Sequence, residues 1–221
     1  MITSVIPVFN NIKITDEFFS TICENTILPK EIILIDNGST DSYYKLVKKY
    51  KKLNINYIRK ETNVGVNAAW NDGLRLAKTP LISILNNDLL LNKYFFQKLQ
   101  ETFTEYLDVG IVIPRVVRGE NIELLNSSKD EKIKIIDIKR RNGCAFTIRK
   151  EASDKFPPIP TMLKTYCGDD YLFKQTLKLG YRNVRMVNNL IYHYGSKTVL
   201  KVWPNKITPR EKEKEIYKKL L

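Results

Sequence analysis

The sequence predicts an α/β protein built on a doubly wound, mostly parallel sheet. In the first half of the 221-residue chain, short β-branched runs alternate with amphipathic stretches at helical spacing. Several of the runs end in Asn, Asp or Gly, as buried strands do where they enter loops. Strands that alternate with helices pair in parallel through right-handed crossovers. At 43% hydrophobic residues, the chain can bury a substantial core.

The first half supplies four strand–helix units. Pro29 ends the first helix, and Ser39, Thr40 and Asp41 each offer an N-cap for the second. The predicted strands are 2–8, 31–35, 55–59 and 81–85, and the predicted helices are 15–26, 43–51, 66–77 and 92–106.

The second half is less regular and predicts a small mixed β annex with a C-terminal tail helix. The alternating stretch 132–139 suits an edge strand, and Gly180 suits the end of a helix. No repeat or low-complexity linker separates the halves, so we expect one domain over 1–221. The predicted strands are 109–114, 132–139, 143–149, 183–187 and 190–194, and the predicted helices are 169–179 and 209–221.

Charge and cysteine content narrow the partners and the location. Thirty-seven basic and 24 acidic residues give a net charge of +13. Such a charge favours polyanionic partners, namely nucleic acid, anionic lipid or the phosphates of a nucleotide. The alternative is that the lysines simply form a solvated surface. Cys23, Cys144 and Cys167 have neither disulfide nor metal spacing, which predicts reduced thiols. No apolar run approaches the roughly 20 residues of a membrane span, and the first residues suit a core strand better than a secretory signal. We expect a cytoplasmic protein, or one at the inner membrane face.

Two acidic residues follow predicted strands, where ligands of open α/β sheets bind. Asp36 can accept hydrogen bonds from a nucleobase or a ribose, with Gly38 allowing close approach, or it can simply belong to a turn that caps the next helix. Asp88 follows Asn86-Asn87 between apolar segments, where a carboxylate calls for a partner such as Mg²⁺ or Mn²⁺. A strand-end turn is the alternative for Asp88.

Three further candidate residues lie in the second half. Asp169 and Asp170 lie at the start of a predicted helix. There they either interact favourably with the helix dipole or supply a general base. His193 is the only histidine, and no suitably placed nucleophile accompanies it, which argues against a hydrolase triad. It is a candidate metal ligand or a structural residue.

Six segments in this order resemble the family 2 inverting glycosyltransferases, which have the nucleotide-sugar-binding fold called type A. The resemblance covers nearly the whole chain. The segments are Ile6-Pro7-Val8-Phe9-Asn10, Ile35-Asp36-Asn37-Gly38-Ser39-Thr40-Asp41, the run from Asn63 to Gly73, Leu85-Asn86-Asn87-Asp88, the run from Asn142 to Lys150, and Gly168-Asp169-Asp170-Tyr171-Leu172 with the later His193-Tyr194-Gly195-Ser196.

The resemblance implies roles for the individual residues. Asp169 would be the base, with Asp170 as the alternative, while Asp88 and His193 would hold Mn²⁺ or Mg²⁺. The nucleotide sugar would contact Pro7, Val8, Phe9, Asn10, Asp36, Asn63, Gly65, Asn67, Asn71, Asn86 and Asn87. On this interpretation 1–114 binds the nucleotide sugar, 115–200 faces the acceptor, and 201–221 is a charged tail.

The sequence departs from the family pattern in three places. Asn86 stands where many members have an acid, and Gly168 replaces the usual acidic neighbour of the base. Asn67 and Trp70 lie in a helix where many members have arginine.

The resemblance implies a metal-dependent transfer of a sugar from a nucleoside-diphosphate sugar to a hydroxyl of a surface glycan or a lipid-linked sugar. A UDP-sugar is the favoured donor. Duplex DNA with a hydroxymethylated base, as in some bacteriophages, is the alternative acceptor, with 45–52, 129–141 and 209–221 as candidate phosphate contacts. An anionic membrane could also receive these basic stretches. A non-catalytic nucleotide-sugar-binding module is a second alternative. The absence of Gly-x-Gly-x-x-Gly after the first strand disfavours a nicotinamide oxidoreductase, and the absence of a glycine-rich phosphate loop disfavours a nucleotidyltransferase.

Overall fold

The computed structural model describes residues 1–125, 131–138, 143–195 and 207–220. Its strands are β1 (Ile2–Val8), β2 (Glu31–Asp36), β3 (Ile55–Arg59), β4 (Leu81–Leu85), β5 (Leu89–Leu91), β6 (Val109–Val117), β7 (Ile135–Asp137), β8 (Ala145–Arg149) and β9 (Arg182–His193). Its helices are α1 (Ile12–Cys23), α2 (Tyr43–Lys49), α3 (Val66–Leu76), α4 (Phe95–Glu105), α5 (Lys150–Ser153), α6 (Gly168–Lys178) and α7 (Ile207–Lys219), with a 3-10 helix at Gly119–Leu125.

All of these strands join one mixed sheet in the order β3-β2-β1-β4-β8-β6-β9-β5, with β7 beside β9. The four strands of the first half pair in parallel, as predicted. Strand β8 runs antiparallel to both β4 and β6, and β9 is parallel to β6. The mixed annex is therefore a continuation of the parallel sheet.

Helices cover both faces of the sheet because side chains alternate along each strand. Ile6 and Val8 of β1 belong to a buried cluster with Phe18 of α1 and with side chains of α2 and α4. Val5, which precedes Ile6 on β1, belongs to a second cluster with Trp70 of α3 and with side chains of α6 and α7. This two-sided burial explains why the first strands are apolar throughout.

Several predicted boundaries were wrong. The two short strands predicted at 183–187 and 190–194 are one strand, β9, with a register shift against β6 after Pro114. The polar Asn188-Asn189 pair does not end the strand, because Asn189 is fully buried and donates to the Phe95 carbonyl while Asn188 donates to the Lys132 carbonyl. Strand β5 was missed because a run of three leucines is too short to show the periodicity of a strand.

Other differences concern helix and strand ends. Helix α1 begins at Ile12 and ends at Cys23, earlier than the predicted 15–26, and the predicted edge strand 132–139 is limited to β7. Residues 126–130, 139–142, 196–206 and 221 lie outside the described residues. They carry parts of the predicted segments 129–141, 142–150, 193–196 and 201–221. All three cysteines are free thiols, as expected. Within the described ranges, no helix has the length and apolarity needed to cross a bilayer.

Helix α3 approaches β1 closely at Gly73. A Cβ atom on Gly73 would lie 2.1 Å from Val5 Cγ1, far inside van der Waals contact. This contact requires glycine at position 73 and fixes the distance between α3 and the sheet.

We expect Gly73→Ala to lower the free energy of unfolding by about 1–3 kcal/mol, because the added methyl overpacks a filled core. Urea unfolding of the purified protein measures the change. In a Val5→Ala background, which removes the opposing methyl groups, the same substitution should cost less than half as much. Equal costs in the two backgrounds would show that the Val5 contact is not the cause.

Candidate active site

Asn10 joins the loops that follow β1 and β2. Its Oδ1 accepts hydrogen bonds from the Thr40 amide at 2.8 Å and the Thr40 hydroxyl at 3.0 Å, and its own amide donates to Ser39 Oγ. It has a positive φ of 54°, which asparagine tolerates better than most residues. The side chain therefore holds two strand ends together at the edge where ligands are expected.

The helix caps predicted in the second loop were wrong. Ser42 occupies the N-cap of α2, and its side chain makes no capping bond. Asp41 instead accepts a hydrogen bond from the Ile12 amide at 2.9 Å, at the start of α1. Ser39 and Thr40 bond to Asn10, so all three predicted caps serve the junction between the loops.

Asp36 is fully buried, and its carboxylate has three donors. Oδ1 accepts from the Ser39 amide at 2.8 Å, and Oδ2 accepts from Tyr57 Oη at 2.7 Å and Arg59 Nη1 at 3.0 Å. Burial and the hydrogen bond to Asp36 raise the pKa of Tyr57. The sequence did not single out Tyr57 or Arg59, although the parallel register places Arg59 opposite Asp36. A direct contact between Asp36 and a nucleobase stays a prediction.

The four candidates around α3 have contacts within the chain. Asn63 Oδ1 accepts from the Gly65 amide, and the Gly65 carbonyl faces Asn37 Nδ2 at 3.4 Å. Asn67 Nδ2 donates to the carbonyls of residues 163 and 166, and Asn71 bonds both the amide and the carbonyl of Ile159. These asparagines fasten the segment 159–167 to α3, and their contact with a nucleotide sugar stays a prediction.

The Asn86-Asn87-Asp88 loop is fixed by its first two residues. The Asn86 amide donates to the Cys144 carbonyl at 2.9 Å. Asn87 is buried and donates to Thr15 Oγ1 at 2.8 Å, and that hydroxyl also contacts Tyr43 Oη. At the end of β1, Pro7 and Val8 are buried and Phe9 is half-buried. The hydrogen bonds of Asn87 and Thr15 join the β4 loop to helices α1 and α2. A direct contact of Pro7, Val8, Phe9, Asn86 and Asn87 with the donor stays a prediction.

Asp88 and His193 face each other. Antiparallel pairing sets Leu89 opposite His193, and the Tyr194 amide donates to the Asp88 carbonyl. As a result Asp88 Oδ1 and His193 Nε2 lie 3.2 Å apart, and each side chain is only 5% exposed. Among the residues that the structure describes, neither atom has a hydrogen-bonding partner.

This pair suits a divalent cation. Buried polar atoms without hydrogen bonds are costly, and in an octahedral site with bonds of about 2.1 Å neighbouring ligands lie about 3 Å apart. In the part of the chain that the structure describes, no group of three His, Cys, Asp or Glu residues could hold a metal. Mg²⁺ characteristically uses one or two protein ligands with substrate phosphates and water. Asp88 and His193 therefore fit a cation that the substrate helps to bind.

Arg118 places a positive charge beside this pair. It follows β6, and its Nη2 lies 3.4 Å from His193 Nδ1. Arg118 was not among the predicted site residues, because nothing in the local sequence distinguishes it from the many other basic residues. Arg118 lies beside His193 only because β6 pairs with β9 in the folded sheet.

Asp169 lies in the same region, at the start of α6. Its carboxyl packs against Gly143, where a Cβ would lie 2.8 Å from Asp169 Oδ2. The next residue, Cys144, is buried, and its pKa is raised to about 12, first by burial and then by the charges of Asp88 and Asp169 among others. Asp170 is more buried than Asp169. The structure therefore brings Asp88, His193 and Asp169 around the start of β8.

The departure at Gly168 has a structural counterpart at Asn67. A Cβ on residue 168 would lie 2.1 Å from Asn67 Oδ1, so any larger residue would collide with that amide. The two departures from the family pattern are therefore one matched pair.

About half of the chain is similar in sequence to a known synthase. Chondroitin synthase of Escherichia coli is 32% identical over 114 residues, which are 50% of this chain and 17% of that protein. The chain thus spans about a sixth of that relative's length.

Solved structures share the fold. TarS of S. aureus in complex with UDP superposes with a TM-score of 0.72 at 20% identity, over 88% of this chain and 60% of that one. The mannosyltransferase PcManGT of Pyrobaculum calidifontis, in complex with GDP-Man and Mn²⁺, gives 0.71 at 18% identity, over 91% and 59%. The fold is the expected type A glycosyltransferase fold. The family model described as Glycosyl transferase family 2 matches residues 3–160, and the chain belongs to that family.

Proposed function

We propose that the chain transfers a sugar, with inversion, from a nucleoside-diphosphate sugar to the hydroxyl of a glycan or a lipid-linked sugar. The buried Asp88–His193 pair carries the proposal, because two facing polar atoms with no hydrogen bond to any described residue suit a cation shared with a diphosphate. UDP is the nucleotide we favour, since the TarS structure holds UDP. A non-catalytic binding module would not need this pair near the carboxylate of Asp169 in the first turn of α6.

Asp169 supplies the base in this scheme. Its carboxylate accepts the proton of the acceptor hydroxyl while the oxygen forms a bond to the anomeric carbon. The bond from that carbon to the diphosphate oxygen breaks on the opposite face, so the configuration inverts and the nucleoside diphosphate leaves. A bound Mg²⁺ or Mn²⁺ would supply charge neutralisation for the leaving diphosphate.

Arg118 assists with the diphosphate in the same scheme. When His193 Nε2 acts as a ligand, the ring proton lies on Nδ1, and the guanidinium, which is only a donor, cannot bond there. The Arg118 side chain is exposed and lies beside Asp88 and His193, so it can turn to phosphate oxygens. It then replaces the arginine that many family members have in α3.

The acceptor is proposed from the relatives and the charge. The similarity to a chondroitin synthase favours a glycan over duplex DNA. Duplex DNA predicts binding that weakens steeply with salt, because several phosphate contacts release counterions. A screen of sugar nucleotides for metal-dependent hydrolysis, repeated with glycan, lipid-linked and hydroxymethylated DNA acceptors, tests donor and acceptor together. If no sugar nucleotide binds or turns over, the proposed function is wrong.

We expect Asp169→Asn to lower transfer by about 10²–10⁴-fold, because the amide cannot take the acceptor proton. The dissociation constant for UDP should change less than threefold. Asp170→Asn is the matched comparison and should retain most of the activity. The opposite ranking of the two variants would move the base to Asp170.

Replacement of Asp88 by Asn should weaken Mn²⁺ binding in the presence of UDP by at least tenfold, since a charged ligand is lost. Paramagnetic resonance of free Mn²⁺ measures the affinity independently of turnover. Asp137→Asn, which changes an exposed carboxylate on β7, is the control and should have no effect. Unchanged Mn²⁺ affinity in the Asp88 variant would exclude this residue as a ligand.

For Arg118→Ala we expect about tenfold weaker binding of UDP and unchanged binding of uridine, because only the charge-assisted bonds to phosphate are lost. Calorimetric titration of both ligands makes the comparison. The matched control is Arg115→Ala, an exposed arginine near the end of β6. An equal loss for uridine and UDP would contradict a phosphate contact.

A further inference from the structure

Helix α7 carries one buried acid among exposed charges. Glu213 is 7% exposed, whereas its neighbours Lys212 and Lys214 are exposed. Its Oε2 accepts hydrogen bonds from the Thr165 amide at 3.0 Å and the Tyr166 amide at 2.7 Å. Bonds from a carboxylate to two backbone amides are charge-assisted and specific in geometry. The helix is therefore attached to the chain by a directed polar contact as well as by apolar packing.

The amides that Glu213 binds lie directly before the candidate base. Cys167 follows Tyr166, has a positive φ of 60° and is the N-cap of α6. A non-glycine residue in this conformation costs about 1–2 kcal/mol, so surrounding contacts must hold it. Asp169 lies two residues further on, in the first turn of α6. The Thr165–Tyr166 backbone therefore leads through Cys167 into the helical turn that carries Asp169.

The same backbone is held from the opposite side by α3. Asn67 Nδ2 donates to the Leu163 carbonyl at 2.9 Å and the Tyr166 carbonyl at 3.0 Å. Residue 166 is thus bonded through its carbonyl to α3 and through its amide to α7. Tyr217, one turn after Glu213, adds a hydrogen bond from its hydroxyl to the Asp170 carbonyl at 3.1 Å. Two helices from distant parts of the sequence clamp the turn that begins α6.

We propose that Glu213 is a positioning residue for the base: by holding the Thr165 and Tyr166 amides it fixes the orientation of Asp169 toward the acceptor hydroxyl. This inference rests on the proposed function. Glu213 acts through the backbone and contacts neither donor nor acceptor. Its removal should slow the chemical step and leave the nucleotide site, which lies at the other strand ends, intact.

The test compares Glu213→Ala and Glu213→Gln with Glu211→Ala, an exposed acid on the same helix. The alanine variant should lower kcat at least tenfold and change the dissociation constant for UDP less than twofold. The glutamine variant keeps one acceptor oxygen and should recover part of the loss. Glu211→Ala should behave as wild type. All measurements are made below the thermal transition of each variant.

Three outcomes would decide against the proposal. A wild-type kcat in Glu213→Ala would overturn it, and so would a parallel fall of kcat and UDP affinity, which a merely structural role produces. If the alanine variant does not fold, Glu213→Gln is compared by amide hydrogen exchange, where faster exchange confined to residues 165–169 together with a lower kcat is expected. Unchanged exchange and unchanged kcat there would overturn the proposal. Failure of the wild-type protein to bind UDP would instead reject the proposed function.

Discussion

The antiparallel pairing of β5 with β9 is the contact on which the candidate site depends. It sets Leu89 opposite His193 and so brings the side chains of Asp88 and His193, 105 positions apart in the sequence, to 3.2 Å. Neither strand would place a ligand alone, because β5 has only three residues and β9 belongs to the second half of the sheet. The parallel pairing of β6 with β9 brings Arg118, which follows β6, to the same place. The parallel half of the sheet supplies the strand ends, and the antiparallel additions complete the chemistry.

The sequence predicted the parallel half of the fold well because its signals are local. Apolar runs and their polar ends mark β1 to β4 within one or two residues. The later strands were harder, since Asn188 and Asn189 resemble a turn until their partners in space are known. The acidic candidates were found from strand ends and the family pattern. Tyr57, Arg118 and Glu213 were missed because their importance comes from long-range contacts that no local spacing records.

The asparagines of α3 show how a departure from a family pattern can be absorbed. Asn67 occupies the space beside residue 168, and glycine at that position leaves room for it. The amide in turn bonds the carbonyls of residues 163 and 166. What the sequence presents as two separate substitutions is one local solution, in which the helix beside the donor holds the turn that carries the base.

The neighbourhood of Cys144 has a consequence for the redox behaviour of the protein. Burial and the charges of Asp88 and Asp169 raise the pKa of the Cys144 thiol, and peroxide reacts with the thiolate rather than the thiol. The buried Cys144 is therefore shielded from oxidation by its burial and by the same carboxylates, Asp88 and Asp169, that are proposed to bind metal and substrate.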